Sequence, residues 1–193
     1  MSGPRRMGIR LPESESEQDA VDAIYGCLTS GSQDVGRGFT KADDDWHPLW
    51  LVTTAAGQGT IISPVEMIDQ ADKIAITEYV ARFARKVGAV AVGHLNSSWL
   101  VAAEDVGDER MKEINALMKA QYGSTEGIPE RREILMLIIY TATSWRQYYA
   151  DIKRHDGRPP TLKPWVLMGS SEQSWNLTGT MSDPIRESLR RIG

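Results

Sequence analysis

The run from Ser63 to Glu104 couples a capped amphipathic helix, through a single glycine, to a β-branched apolar segment. Ser63 has the side chain of an N-cap, Pro64 suits a first turn where its missing N–H costs nothing, and Glu66 stands where a capping box needs it. Over the next turns Val65, Ile68, Ile76, Tyr79, Val80, Phe83 and Val87 recur largely at three- and four-residue spacings. Asp69, Lys73, Arg82 and Arg85 fall on other faces, so one side of this helix must be covered. Arg82, Arg85 and Lys86 suit the negative end of the helix dipole, and Gly88 can take the left-handed conformation that ends a helix. Ala89 to Val92 then begins a strand, and Trp99 to Ala103 follows after a break at Asn96-Ser97. The helix is expected to pack on this hairpin, or on one long bent strand.

The other segments fit around that unit. Residues 1–14 are rich in Gly, Pro, Arg and Ser and read as a flexible tail, leaving 15–193 as a single domain. From Ser16, the residues Ala20, Ile24, Cys27 and Leu28 predict a short helix closed by Gly31, followed by a polar loop to Asp45. Leu49 to Thr54 and Thr60 to Ile62 read as a hairpin around Gly57-Gln58-Gly59. Asp108 caps a further amphipathic segment carrying Met111, Ile114, Leu117 and Met118 on one face, placed as an insertion over the sheet edge. Ile134 to Tyr140 is the most apolar run and predicts a central strand covered on both sides. Trp145 to Lys153 and Trp165 to Met168 are further strands, with a turn forced by Asp156-Gly157 and Pro159-Pro160. Asp183-Pro184 starts a short final helix with Ile185, Leu189 and Ile192. This order lacks the regular alternation of a doubly wound parallel fold. The expected class is α+β, with a mostly antiparallel (mixed) sheet packed by a long central helix and flanked by short N- and C-terminal helices.

Within Trp46 to Met168 four features follow one another: Trp46 with Pro48, the Gly88-to-Val92 strand after a long helix, Trp99, and Pro129 with Arg131 or Arg132 and Glu133 before an apolar strand. In these the chain resembles a group of small uncharacterised bacterial and phage-type proteins. The likeness covers about two thirds of the chain. It departs at Gly93 to Ser98, where the group more often carries a Glu before the Trp, and again after Asp108. The resemblance implies a fold and supplies no catalytic residue.

Totals narrow the function further. Hydrophobic residues make up 41% and charged residues 25% of 193, which excludes wholesale disorder. No apolar run approaches the roughly 20 residues of a bilayer span, and the basic N-terminus lacks the apolar stretch of a secretory signal. One cysteine, Cys27, excludes an internal disulfide and any multi-cysteine zinc site. The expectation is a cytoplasmic protein without cofactor or metal, not bound to membranes. A net charge of −4 gives no electrostatic footprint for nucleic acid.

His47, His94 and His155 form no spaced metal-binding set. His94, near Asn96, Ser97 and Ser98, is the best placed for a ligand pocket, although no nucleophile elbow surrounds the serines. Gly57-x-Gly59 lacks the remaining signature of a phosphate loop, and Asp43 to Asp45 lacks the spaced ligands of a calcium loop. Six tryptophans against two phenylalanines point either to a core or to an aromatic platform. Trp145, Arg146, Tyr148, Tyr149, Lys153 and Arg154 mark the strand where such a platform would lie. Two functions remain: a non-enzymatic protein-binding module of interaction or regulatory type, self-associating or tied to a phage or defence locus, and a small-ligand or nucleotide-binding protein or enzyme with its pocket at His94, Asn96 and Ser98.

Overall fold

The computed structural model describes residues 3–65, 70–101, 103–120, 127–170 and 182–190. Among the described residues, eight strands form one sheet, and every pairing is antiparallel. They are β1 (Arg5–Arg10), β2 (Leu49–Thr54), β3 (Gln58–Ser63), β4 (Ala89–Leu100), β5 (Arg132–Thr141), β6 (Trp145–His155), β7 (Arg158–Leu162) and β8 (Val166–Ser170). The order across the sheet is β1-β3-β2-β4-β5-β6-β7, with β8 paired to β6 on the same outer side as β7. The helices are α1 (Glu17–Arg37), α2 (Gln70–Val87), α3 (Ala103–Val106), α4 (Asp108–Ala120) and α5 (Ser182–Arg190). The fold is α+β, as the sequence predicts.

Each face of the sheet has its own core. Ala20, Val21, Ile24 and Leu28 of α1 pack on Leu51, Ala91, Leu95, Leu135, Leu137 and Ile139. On the opposite face, Ile76, Val80, Ala81 and Ala84 of α2, with Ile185 and Leu189 of α5, cover Trp50, Val52, Val92, Ile138, Tyr140 and Trp145. β5 lies between β4 and β6 and feeds both cores with alternate side chains, so the doubly covered central strand holds. A satellite core of Val101, Ile114 and Ile128 lies beneath α4.

α1 is longer than its sequence signal. Ser16 accepts the Asp19 N–H and Asp19 accepts the Ser16 N–H, a complete capping box. The helix then runs through Gly31 to Arg37, because a helical glycine costs only about 1 kcal/mol when burial outweighs it. The Trp46 indole secures the last turns: its Nε1 donates to Ser32 O at 2.7 Å, and a Cβ at Gly36 would stand 2.8 Å from its ring.

The Ser63 region needs correction. Ser63 ends β3, opposite Arg5, and Pro64 and Val65 after it are not helical, so Ser63 does not cap α2, which is described from Gln70. Glu66, Ile68 and Asp69 lie outside the described residues. Val65 and Val87 are exposed, and Phe83 is half-buried against the core beneath an Arg6 guanidinium 5.7 Å from its ring centre. α2, described over Gln70–Val87, covers one face of the sheet, and α1, 21 residues long, covers the other. Gly88 does end α2 at φ +66°.

Other boundaries also move. The N-terminal tail contains β1, an edge strand on β3. β4 passes unbroken through Asn96-Ser97 and stops at Leu100, with Ala103 starting α3. Leu117 is exposed, and α4 packs on its satellite core. Pro159 and Pro160 sit within β7, opposite a register irregularity in β6, where an edge strand tolerates a missing N–H. Asp183-Pro184 lies in the first turn of α5 as expected, while Ile192 falls outside the described residues.

Candidate ligand site

Strand alternation decides which polar groups can meet. Along β4, Gly93 and Leu95 face α1, and the intervening side chains of Val92, His94, Asn96 and Ser98 share the α2/α5 face. Register places Trp50 beside His94, Met136 beside Asn96 and Ile134 beside Ser98. One strand further, Gln147, Tyr149 and Asp151 lie opposite Ile138, Met136 and Ile134. A polar row on β4 and a second on β6 thus flank a floor of Ile134, Met136 and Ile138. α2 and α5 bury the Val92, Tyr140 and Trp145 end of the same face.

The inner end is buried. Trp50 is fully buried, and its indole stacks on the His94 imidazole with centroids 4.4 Å apart and planes 8° from parallel. His94 is only 4% exposed. Burial penalises its charged form and pushes its pKa down to about 4. Burial then falls along β4, and Asn96 and Ser98 are half-buried. Among the described residues, Trp50 Nε1, His94 Nε2 and Asn96 Oδ1 are buried and have no hydrogen-bond partner.

The outer end is charged and internally paired. Arg132 Nη2 donates to the Tyr149 hydroxyl at 3.2 Å, and its guanidinium lies 5.3 Å from the Tyr149 ring centre. Its Nε is 3.4 Å from Asp151 Oδ1 and its Nη1 is 3.5 Å from Asp105 Oδ2. Lys163 approaches Asp151 from the other side at 3.8 Å. Between the two ends, the Gln147 amide nitrogen donates weakly to the Met136 sulfur at 3.1 Å.

The aromatic-basic strand is not one surface. Trp145 is buried under α2 and α5, and Tyr149 on the same face meets Arg132. Tyr148 turns to the α1 side, 4.5 Å from Tyr25, and Arg146 donates to Gln18 at 2.6 Å. Lys153 is exposed. Arg154 clasps Glu133 with two bonds, 2.6 and 2.8 Å, and donates to Asp44 O at 2.8 Å. Those six side chains divide between two faces because successive residues of a strand point opposite ways.

His47 and His155 are exposed and lie apart from the basin, and His155 Nε2 is 3.1 Å from Thr161 Oγ1. Asp44 closes a turn by accepting the Thr40 and Lys41 N–H groups, and Asp45 pairs with Arg154. Gly57 sits in the β2–β3 turn at φ +71°, as a hairpin requires. Trp175 lies outside the described residues. Among those described, no His, Cys, Asp and Glu group is arranged to hold a metal ion, and no helix is long and apolar enough to cross a membrane. The sequence alone did not single out Trp50, Gln147, Asp151 or Arg132 for the site. The first three stand at alternate positions of strands it did recognise, but only register brings Trp50 beside His94 and sets Gln147 and Asp151 across β5 from the β4 row. No family model, no curated protein and no solved structure matches the chain.

Proposed function

We propose that this is a non-enzymatic binding protein of the cytoplasm whose basin at His94, Asn96 and Ser98 takes a small polar ligand. The observation that carries the reading is the gathering of Trp50 Nε1, His94 Nε2 and Asn96 Oδ1 on one sheet face, buried and without partners among the described residues. Each such group forfeits about 1–3 kcal/mol if left unmet, so three together favour a guest that supplies the missing bonds. Thermal-shift screening against nucleotides and polar metabolites tests it. A ligand at about 100 times its Kd adds roughly 2.7 kcal/mol, which at about 2–4 °C per kcal/mol in a chain of this size is a readable shift. A flat response across a broad panel counts against the site.

A second reading is a protein partner, with a second copy of this chain as its simplest form. It is favoured by β8, which pairs only with β6 among the described residues and exposes adjacent Val166 and Leu167 at 47% and 53%. An apolar edge strand is a template for further pairing. Light scattering on the native chain and on Leu167→Lys tests this: a dimer that the substitution dissociates supports it, and a strict monomer at high concentration removes it.

A further inference from the structure

We propose that the outer edge of β1 docks an acidic, extended peptide segment of a partner protein, which adds to the sheet as a further antiparallel strand. Two strands separate β1 from β4, so the surface is independent of the site at His94. Among the described residues β1 pairs with β3 alone. Leu11 N–H donates to Gly57 O at 2.9 Å, which continues the register that sets Arg10 opposite Gln58. Antiparallel bonding alternates along a strand, so Arg5, Met7 and Ile9 turn their N–H and C=O groups toward β3. Arg6, Gly8 and Arg10 turn theirs outward. That outward row is a template for one more strand.

Charge selects the strand that fits. Arg6 stands opposite Ile62 of the α2 core, so Arg6 and Arg10 share the α2 face, four residues or about 13 Å apart. Arg6 is held over the Phe83 ring, and Lys86, one turn further along α2, is exposed. Among the described residues Arg5 and Arg6 have no acidic partner, and Arg10 reaches only Glu13, at 3.2 Å. Both members of that pair are well exposed, so it is weak and open to exchange. A chain of net charge −4 thus carries one edge that is wholly basic. A second copy does not suit it. Antiparallel pairing of two β1 strands about Gly8 would set each Arg6 opposite the other copy's Arg10, and like charges directly opposite repel. An incoming strand with acids four residues apart meets both arginines instead. On the other face Met7, 58% exposed, offers an apolar contact to the residue between them. Backbone bonds supply the affinity of such an added strand, and the alternate side chains supply its selectivity.

The experiment is a 1H–15N NMR titration of the full chain following the Gly8 amide, assigned by its loss in Gly8→Pro. The probe is a peptide, capped at both ends, carrying Glu-Val-Thr-Leu-Glu. Its antiparallel register sets the acids opposite Arg10 and Arg6 and the leucine opposite Met7. It should move the Gly8 resonance and bind at least tenfold more tightly than Val-Glu-Thr-Glu-Leu, of the same composition, or Lys-Val-Thr-Leu-Lys. N-methylation of its threonine, which removes the donor to Gly8 O, should weaken it tenfold or more. Arg6→Gln combined with Arg10→Gln should do the same while the spectrum stays dispersed. If that double variant unfolds, Arg10→Gln alone, at an exposed position, should still weaken the peptide several-fold. Equal binding of the permuted or the N-methylated peptide would overturn the proposal. So would an oligothymidylate that moves Gly8 as strongly, since the edge would then be a general polyanion surface. A Gly8 amide that no peptide moves overturns it outright.

Discussion

Adding one methyl at Gly93 tests how α1 is seated on the sheet. A Cβ built there would lie 2.5 Å from Ile24 Cγ2 and 3.0 Å from Leu28 Cδ1, with Leu137 Cδ1 at 3.8 Å. Apolar carbons prefer about 3.5–4.0 Å, so Ile24 must move by about 1 Å or leave its rotamer. Both Ile24 and Leu28 are buried in the α1 core, which leaves little room for either adjustment. Overpacking of this size costs about 1–3 kcal/mol. Replacing glycine returns roughly 0.4–1 kcal/mol by restricting the unfolded chain. Gly93→Ala should therefore destabilise by about 1–2 kcal/mol, a sizeable share of the 5–15 kcal/mol typical of a domain. Ile24→Ala alone should cost about 2–5 kcal/mol through its cavity. In the double variant the new methyl occupies part of that cavity, so the two effects should fall short of their sum by about 1 kcal/mol. Urea denaturation of the four proteins measures the cycle. A neutral Gly93→Ala, or single effects that add, would mean that α1 does not approach β4 at Gly93 as described.

Stability should also follow the protonation of His94. Its folded pKa of about 4 lies below the ordinary 6.5, so between those values the unfolded chain binds more protons than the folded one. Stability is then complete above about pH 6.5 and falls as pH drops toward 4, by about 3 kcal/mol at most. Melts of the native chain and His94→Phe across that window should differ in slope, and parallel curves would count against a buried neutral imidazole. Burial pushes the Glu17 carboxyl up, but the Thr141, Thr143 and Ser144 hydroxyls and the Thr143 backbone outweigh it and hold the pKa below its usual value. Glu17→Gln should lose about 1 kcal/mol near neutrality and less in acid, where protonation removes the native advantage. On α2, Phe83→Ala should cost less than the 3–5 kcal/mol of a fully buried ring because Phe83 is half-exposed. Arg85→Ala, at an exposed position, should stay within about 0.5 kcal/mol, and denaturant midpoints rank the pair.

Local chemistry made several elements legible. Leu49–Thr54 is a strand in the structure with the same bounds as its β-rich run, and the continuous apolar stretch from Ile134 to Tyr140 lies in a strand with a core on each side. Gly57 and Gly88 hold the positive φ angles that their neighbours' patterns require. His94, Asn96 and Ser98 share a face because two-residue spacing on a strand guarantees it. The short Met7-x-Ile9 alternation among three arginines is too weak to mark β1, which is a strand through its pairing with β3. That pairing extends β3 to Ser63 and withdraws the residue from the cap it otherwise resembles. Gly31 does not end α1, because packing against the sheet and the Trp46 indole outweighs one glycine's cost. The basin follows the same logic. Strand register carries Trp50 to His94 and sets Tyr149 and Asp151 across from the β4 row, while alternation scatters the six-residue aromatic-basic strip over both faces. Periodicity is a property of neighbours in the chain and can be read from it. Register, and the burial that leaves polar atoms unmet, arise between segments distant in sequence, so the tertiary structure alone decided them.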